Sequence, residues 1–192
     1  MSSEEKKFGP YTSEEYFAEI EKFHGHMAPG LIVGGFMVEM ARKHIAKGVL
    51  FDAICETSQC LPDAIQMLTP CTVGNRWLKI FDLGRFALAL FDKYTGYGVR
   101  VFVDPEKLEP FAEIKAWFFR TDPKKAQDSE RLLAQVKETG EKILTSQRVR
   151  VKPQALGKQH KGRIGMCPLC GEAHPLKDGS ACLGCQGQAP YA

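Results

Sequence analysis

The spacing of hydrophobic positions divides the chain into a helical N-terminal part, a strand-rich middle and a second helical part. A capping box over residues 12–15 predicts the start of the first helix, which extends to about Phe23. Pro29 suits the first turn of a second helix, which extends to about Ala46 and ends at Gly48. This second helix is apolar early and charged late, so we expect its N-terminal half to lie in the core.

The middle of the chain has the composition of β-structure. Val49–Thr57 contains a largely apolar run that predicts a buried strand, and Asp63–Leu68 predicts a short helix after it. Three further strands are predicted at Trp77–Phe81, Phe86–Phe91 and Val99–Val103, separated by glycine-containing turns. Because these three runs follow one another closely, they predict an antiparallel β meander.

Helical spacing returns after the predicted meander. One helix is predicted between Pro105 and Phe119, and another begins at Asp122-Pro123, where Asp suits the cap and Pro the first turn. Val149 and Val151 then alternate with basic residues and predict a strand that closes a sheet edge. Helices on both sides of an antiparallel meander indicate the α+β class rather than an alternating βαβ chain.

Charge is distributed unevenly along the chain. The 26 basic and 23 acidic residues give a net charge of +3. Six of the basic residues fall between positions 148 and 163, and without them 20 basic residues face 23 acidic ones, a net charge of −3. These six are Arg148, Arg150, Lys152, Lys158, Lys161 and Arg163, accompanied by His160. The stretch is either a solvated linker or a patch for phosphate, nucleic acid or an acidic partner.

The same stretch predicts a division into domains. We expect an α+β core domain over residues 1–152, a basic linker over 153–165 and a small zinc-ribbon domain over 166–192. Seven cysteines cannot all pair within one chain, and the polar, acidic start lacks the pattern of a signal peptide. The sequence therefore predicts a cytoplasmic protein, without a membrane span, whose reduced thiols are available for metal.

Two CxxC pairs near the C-terminal end predict a structural zinc site. Cys167 and Cys170 form the first pair, Cys182 and Cys185 the second, and eleven residues separate the pairs. Each pair brings two thiolates together on one tight turn, and four sulfurs complete the tetrahedral shell of a structural Zn²⁺. A module this small gains its folding free energy from metal binding, about 10–16 kcal/mol for such sites. A four-thiolate iron site is the alternative, and His174 is expected not to be a ligand.

A second group of candidate residues lies in the predicted core. His24 and His26 sit two residues apart on a loop that leads into a helix, and Cys60 and Cys71 flank the predicted Asp63–Leu68 helix. Imidazole and thiolate ligands suit zinc, iron or copper, and a thiolate–imidazole pair also suits nucleophilic chemistry. The alternative is that the cysteines are small core hydrophobes and the histidines cap helix ends.

Several motifs taken together resemble those of the formylmethanofuran dehydrogenase E-subunit family, over nearly the whole chain from about Tyr16. The motifs are Phe23-His24-Gly25-His26-Met27-Ala28-Pro29-Gly30-Leu31-x-x-Gly34, Glu56-x-x-x-Cys60-x-x-Asp63-Ala64-Ile65-Gln66, Cys71-Thr72-x-Gly74-Asn75, Asp82-x-Gly84-Arg85-x-Ala87 and the double CxxC. The resemblance implies an α+β core, a homodimer, a small zinc domain and a groove where the two histidines approach the motif cysteines. The family usually has a cysteine where this chain has Ala28, and a methyl group cannot bind metal.

The resemblance implies that the chain is a metal-binding accessory subunit of a molybdenum or tungsten formylmethanofuran dehydrogenase. It also implies a structural zinc ion and either a second metal or an active-site groove in the core. The groove residues would be His24, His26, Cys60 and Cys71. One alternative is a stand-alone metal-dependent enzyme that uses the same groove. Another is a nucleic-acid-binding zinc-ribbon protein, although the predicted ribbon lacks aromatic residues for base stacking apart from the nearby Tyr191.

Overall fold

A computed structural model of the chain describes residues 7–121, 123, 127–156 and 162–191. The chain divides into two compact units, residues 1–156 and 157–192, which are described separately below. The stretch predicted to be a basic linker contains a helical turn at Pro153–Ala155 and a strand at Ile164–Met166. Lys158, His160 and Lys161 of the basic stretch lie outside the described residues.

The first unit opens with a short hairpin and a capped helix. Strands β1 (Lys7–Phe8) and β2 (Tyr11–Thr12) pair antiparallel, and helix α1 (Ser13–His24) follows directly. The Thr12 hydroxyl accepts from the backbone N–H of Glu15, whose carboxylate accepts from the Thr12 N–H, so the predicted capping box is confirmed. Gly25 ends the helix with φ +84°, a left-handed conformation that favours glycine.

Helix α2 (Pro29–Arg42) is the central helix of the unit. It begins at the predicted proline but ends four residues before Ala46, and residues 43–48 form turns. Nine consecutive residues, 30–38, are buried, so the helix is covered on all sides. On one side lies helix α3 (Leu61–Leu68), and α2 also contacts the sheet.

Five strands form the sheet of this unit, in the order β4-β3-β5-β6-β7. Their bounds are β3 Phe51–Cys55, β4 Leu78–Ile80, β5 Ala87–Asp92, β6 Tyr97–Val103 and β7 Leu144–Arg150. Antiparallel pairing joins β3, β5, β6 and β7 in succession. Strand β7 contains Val149 and lies at the sheet edge, as the alternating pattern predicted.

The position of β4 differs from the prediction. All three strands predicted for the meander are present, but β4 does not pair with β5, the next strand along the chain. It pairs in parallel with β3 instead, with Ile54 opposite Lys79. The reason is that β3, α3 and β4 form a crossover unit. The connection through the helix brings the chain back to the end of the sheet where β3 began, so β4 runs in the same direction as β3.

The second helical part lies between β6 and β7. A 3₁₀ turn at Pro105–Leu108 precedes helix α4 (Ala112–Phe119), and helix α5 (Ser129–Thr139) runs into a second 3₁₀ turn at Gly140–Ile143. The helix predicted to begin at Asp122-Pro123 begins at Ser129. Asp128 caps it by accepting from the Arg131 N–H, and Asp122 lies outside the described residues.

The second unit is small and contains little regular structure. Strands β8 (Ile164–Met166) and β9 (Ala173–Pro175) pair antiparallel, and helical turns follow at Leu176–Asp178 and Gly184–Gln188. The α+β class with a small C-terminal zinc-binding module is therefore confirmed. Within the described residues, none of the helices combines the length and the apolar character needed to cross a membrane.

Gly34→Ala tests the close packing of α2 on α3. A Cβ at position 34 would lie 2.7 Å from the Ala64 Cβ and 3.1 Å from the Leu61 Cδ1. Such overpacking costs about 1–3 kcal/mol, so we expect a lower free energy of unfolding in urea despite the higher helix propensity of alanine.

The matched control is Gly74→Ala, because the nearest atom there, the Thr72 Oγ1, is 3.9 Å away. We expect the control to change the free energy of unfolding by less than about 0.5 kcal/mol. Equal effects of the two substitutions would contradict close helix contact at Gly34.

Candidate functional site

The four cysteines of the second unit converge as a zinc site requires. The Sγ atoms of Cys167, Cys170, Cys182 and Cys185 all lie within 4.8 Å of one another. Tetrahedral Zn²⁺ with bonds of about 2.3 Å places its sulfurs about 3.8 Å apart. The Sγ atoms of Cys170 and Cys182 are 3.7 Å apart, so this pair already has the spacing of two zinc ligands.

Backbone amides donate to two of the four thiols of this cluster, and the pKa values of the thiols shift in both directions. The N–H of Cys182 donates to the Cys167 Sγ at 3.4 Å, and this lowers the pKa of Cys167 to about 6. The N–H of Cys185 donates to the Cys182 Sγ at the same distance. Side-chain hydrogen bonds with Cys182 and Cys170 raise the pKa of Cys185 to about 12. His174 is buried but is not one of the four clustered donors, as expected from its position in the sequence.

In the first unit, the two histidines of the His24-Gly25-His26 stretch lie side by side. Their ring centroids are 4.8 Å apart at an interplanar angle of 48°. The Nδ1 of His24 is 3.0 Å from the Asp63 Oδ2 of helix α3. A carboxylate at this distance fixes the orientation of the imidazole and favours the tautomer whose Nε2 accepts protons or metals.

Cys60 lies where helices α2 and α3 both begin. It precedes α3 as its N-cap residue, with φ +51°, a backbone conformation that is rare for a non-glycine residue. It also covers the start of α2, since a Cβ at Gly30 would lie 2.9 Å from the Cys60 Cβ. The glycine is therefore required for the approach of Cys60 to α2.

Cys71, in contrast to Cys60, is a residue of the hydrophobic core. It is fully buried, and its thiol donates to the Phe51 carbonyl at 3.5 Å. Burial raises the pKa of Cys71 to about 11 and that of the equally buried Cys55 to about 12. Both thiols are protonated at neutral pH, which is the behaviour expected of cysteines that serve as small core residues.

The described core residues do not bring together three donors for a metal ion. In the described part of the chain, the group of three or more donors close enough to share a metal ion consists of the four cysteines of the second unit. The core offers two imidazoles in contact, and Ala28 is a buried methyl group at the start of α2. A complete metal shell at His24 and His26 therefore needs ligands from elsewhere.

The surroundings of His26 and Cys60 form a pocket of about 760 Å³, which Cys71 does not line. Its volume is within the range of small-molecule sites, about 300–1,000 Å³. Its polar lining residues come mainly from the segments before α3 and after β4. The apolar ones come mainly from α4, α5 and Phe86, which lies just before β5. The lining residues are His26, Met27, Ala28, Pro29, Gly30, Thr57, Ser58, Gln59, Cys60, Asp82, Gly84, Phe86, Trp117, Phe118, Arg120, Gln127, Ser129, Leu132 and Leu133.

A buried carboxylate holds the polar wall in place. Glu56 accepts two hydrogen bonds from Arg100, at 2.7 and 2.8 Å, and pairs with Arg85 at 2.8 Å. Its backbone carbonyl accepts the N–H groups of Leu83 and Arg85. These contacts fix the 82–85 loop next to the segment that follows Glu56. The hydrogen bonds from Arg100, aided by the nearby charge of Arg85, hold the pKa of Glu56 below its usual range.

Several of these residues were not identified from the sequence. Ser58, Trp117 and Phe118 have no distinctive spacing, and their positions depend on segments that meet only in the fold. Asp63 belongs to a sequence motif, but its contact with His24 is visible only in the structure. Arg100 carried a usable signal, because a charged residue between Val99 and Val101 in an apolar strand indicates a buried partner.

Two family models match the chain. One, described as "FmdE, Molybdenum formylmethanofuran dehydrogenase operon", matches residues 23–151. The other, described as "FmdE treble clef zinc finger", matches residues 158–192. The module predicted as a zinc ribbon is thus a treble-clef zinc finger by family, with the same four cysteines as its metal donors.

A solved structure and a curated protein are similar to the chain. The crystal structure of a tungsten formylmethanofuran dehydrogenase FmdE-like protein from Syntrophus aciditrophicus is 50% identical, with a TM-score of 0.90, over 97% of this chain and 98% of the other. A probable S-adenosyl-L-methionine-binding protein from Archaeoglobus fulgidus is 32% identical over 87% of this chain. The matched region is 51% of that protein, so the chain spans about half the length of this relative.

Removing two finger thiols tests the zinc site. We expect the double substitution Cys170→Ser, Cys182→Ser to reduce bound zinc from one ion per chain to none, because two ligands cannot hold the metal. Elemental analysis measures the loss. Thermal unfolding followed by near-UV absorbance checks that the core unit keeps its transition.

Ser180→Ala is the control, because this exposed residue lies between the two CxxC pairs and supplies no sulfur. It should retain one zinc ion per chain. Retention of zinc by the double cysteine variant would overturn the assignment of the four ligands.

Glu56→Gln tests the carboxylate that holds the pocket wall. A carboxyl with a lowered folded-state pKa contributes stability that is present above its unfolded pKa, about 4.3, and is lost as the pH falls through the folded-state value. We expect the variant to lose about 3 kcal/mol at pH 7, since Arg100 is left without its buried partner. Its stability should also fall less steeply than the wild type below about pH 5.

Glu19→Gln is the control for urea unfolding at each pH. Its partner Lys22 is exposed, so we expect the loss to be much smaller than that of the Glu56 variant. A Glu56 variant with the wild-type pH profile would show that this carboxylate does not contribute to acid sensitivity.

Proposed function

This chain belongs to the FmdE family, and from that membership we propose that it is a metal-binding accessory subunit of a formylmethanofuran-dehydrogenase-type oxidoreductase. The observation that carries the proposal is the pocket at the start of α2, because a subunit that only filled space in an assembly would not need it. The solved structure that resembles the chain over its whole length is itself described as FmdE-like. In this proposal the zinc finger has a structural role, and the pocket is the functional site.

The proposal includes a second metal in the core. His24 and His26 would hold it, with Cys60 at the pocket wall as the neighbouring thiol, and the ion would supply a Lewis acid or an electron-transfer centre. Because the described core residues leave its shell incomplete, further ligands would come from a bound molecule or a partner subunit. Cys71 stays outside this arrangement because its thiol is used in the core.

A homodimer is also part of the proposal. Ile80, Phe81 and Leu83 are exposed apolar residues at and just after β4, which is an edge strand of the sheet. Exposed apolar groups beside an unpaired edge favour association with another surface. A second copy of the chain would cover them and would also be a source of additional ligands.

The alternatives from the sequence receive less support. A stand-alone metal-dependent enzyme would need a complete ligand set within one chain. A nucleic-acid-binding finger would need aromatic residues for base stacking beside its basic residues, and Tyr191 is the one aromatic residue between positions 158 and 192. The accessory role accounts for the incomplete ligand set, because a partner subunit would supply the remaining ligands.

Purification from the native host tests the accessory role. We expect the affinity-tagged chain to recover a molybdopterin or tungstopterin enzyme, and the complex to hold one metal ion more than the finger zinc and the metals of that enzyme account for. His26→Ala should remove the second metal and leave the zinc, as measured by elemental analysis of the complex. Recovery of no such enzyme under reducing, low-salt conditions would contradict the accessory role.

A second candidate function is binding of S-adenosylmethionine in the same pocket. The Archaeoglobus relative is named for this ligand, and the pocket here combines aromatic side chains with a carboxylate from Asp82. Its volume is sufficient for a ligand of that size.

Isothermal titration of S-adenosylmethionine into the purified chain tests this candidate. We expect saturable one-to-one binding, weakened at least about tenfold by Phe118→Ala, because loss of a stacking ring costs about 1–3 kcal/mol. Tyr94→Ala is the control, since Tyr94 is an exposed aromatic residue that does not line the pocket. Absence of heat at high protein concentration would rule this candidate out.

A further inference from the structure

The two ends of the five-stranded sheet differ in what they carry. Strands β3 and β4 run in parallel, and the segments that line the pocket follow their C-terminal ends. At the other end of the sheet the starts of β3, β4 and β6 meet the ends of β5 and β7, since Phe51 pairs with Asp92 and Tyr97 with Arg150. This second end is therefore remote from the pocket.

Two aromatic rings and three cations are exposed at this second end. Tyr94 lies in the turn between β5 and β6, Tyr97 opens β6, and their exposed fractions are 74% and 58%. Arg148 and Arg150 of β7 are exposed, as is Lys152 just after the strand. Alternate residues of a strand share a face, so both arginines lie on the face of Tyr97, the cross-strand partner of Arg150. We call these five residues the Tyr97 surface.

The guanidinium of Arg150 lies over the ring of Tyr97. Its Cζ is 4.9 Å from the ring centroid, which is within the range of a cation–π contact. A planar guanidinium held against a ring loses less conformational freedom on binding, and its forked N–H groups match the two oxygens of a carboxylate. Arg150 is therefore a positioned donor for a carboxylate.

The positive charge of the Tyr97 surface is not compensated locally. Within the described part of the chain, no carboxylate forms an ion pair with its three cations. Asp92 is the acidic residue beside the turn, and it accepts from the N–H groups of Tyr94 and Thr95 and from the Thr95 hydroxyl. These contacts use the Asp92 carboxylate in the turn itself, so the cations are available to an outside partner.

The composition of the Tyr97 surface favours a protein partner over a nucleic acid. Tyrosine and arginine are enriched at the energetically important positions of protein interfaces. Proteins that bind nucleic acid tightly make about 6–10 phosphate contacts, and three exposed cations would supply few of these.

From these observations we propose that the Tyr97 surface docks an acidic segment of a partner protein. A carboxylate of the segment would accept from the N–H groups of Arg150, and an apolar side chain next to it would pack against Tyr94 or Tyr97. This inference rests on the proposed accessory role. It adds the surface through which the chain holds its partner subunit and the charge of the segment that the partner presents.

Fluorescence anisotropy with two labelled probes tests the inference on the full chain. One probe is a peptide of alternating glutamate and leucine residues, and the other is a single-stranded oligothymidylate with the same number of negative charges. We expect the peptide to bind more tightly than the oligothymidylate at low salt, and its affinity to fall as the salt concentration rises, because exposed charges are screened.

Three substitutions separate geometry from charge. Arg150→Gln should weaken peptide binding about tenfold, because a charge-assisted pair of hydrogen bonds is lost. Arg150→Lys keeps the charge but lacks the planar fork, so we expect a loss of about threefold. Lys142→Gln removes the same charge from an exposed position before β7, at the pocket end of the sheet, and should leave the affinity unchanged.

Equal effects of Arg150→Gln and Lys142→Gln would overturn the inference, and so would full affinity of Arg150→Lys. Tighter binding of the oligothymidylate than of the peptide would overturn it in favour of nucleic acid.

Purification from the native host keeps this inference distinct from the accessory role. Tagged Arg150→Gln should recover less of the pterin enzyme than the wild type, and Lys142→Gln should recover as much. Undiminished recovery by Arg150→Gln would contradict docking at the Tyr97 surface and leave the accessory role intact. Recovery of no enzyme by the wild type would contradict the accessory role, whereas the two probes report on the surface itself.

Discussion

The close contact of helix α2 with its neighbours is the constraint on which the rest of the core depends. Gly34 lets Ala64 and Leu61 of α3 approach, and Gly35 faces the Tyr16 ring, where a Cβ would be 2.5 Å from the Cε1. Larger residues at either position would push α2 outward. The close packing of α2 also fixes the position of its first turn, and Gly30 in that turn lines the pocket.

The pocket is therefore a product of packing rather than of one motif. Its polar segments follow two strands that pair in parallel and are held by Glu56 and Arg100. Trp117 and Phe118 come instead from helix α4, which is inserted between β6 and β7 in the chain. Helix α4 has Ile114 as its one fully buried residue within the described part of the helix. A wall of this kind adapts to a ligand more readily than the sheet does.

Local signals in the sequence predicted the parts that depend on local chemistry. The Thr12 capping box, the proline that opens α2 and the spacing of the CxxC pairs each involve residues a few positions apart. The parallel placement of β4, the distance of Cys71 from the pocket and the contribution of Trp117 could not be predicted in this way. Each is decided by contacts between segments far apart in the chain, for which hydrophobic periodicity carries no information.

The cysteines are divided among three environments, and this makes selective labelling of one thiol possible. Four cysteines of the finger converge as zinc donors, and Cys55 and Cys71 are buried as protonated thiols. Cys60 is half-buried and faces the pocket. A maleimide or a spin label added to zinc-loaded protein at neutral pH would therefore attach at the pocket wall, so that one covalent reporter follows events at this site without any engineered residue.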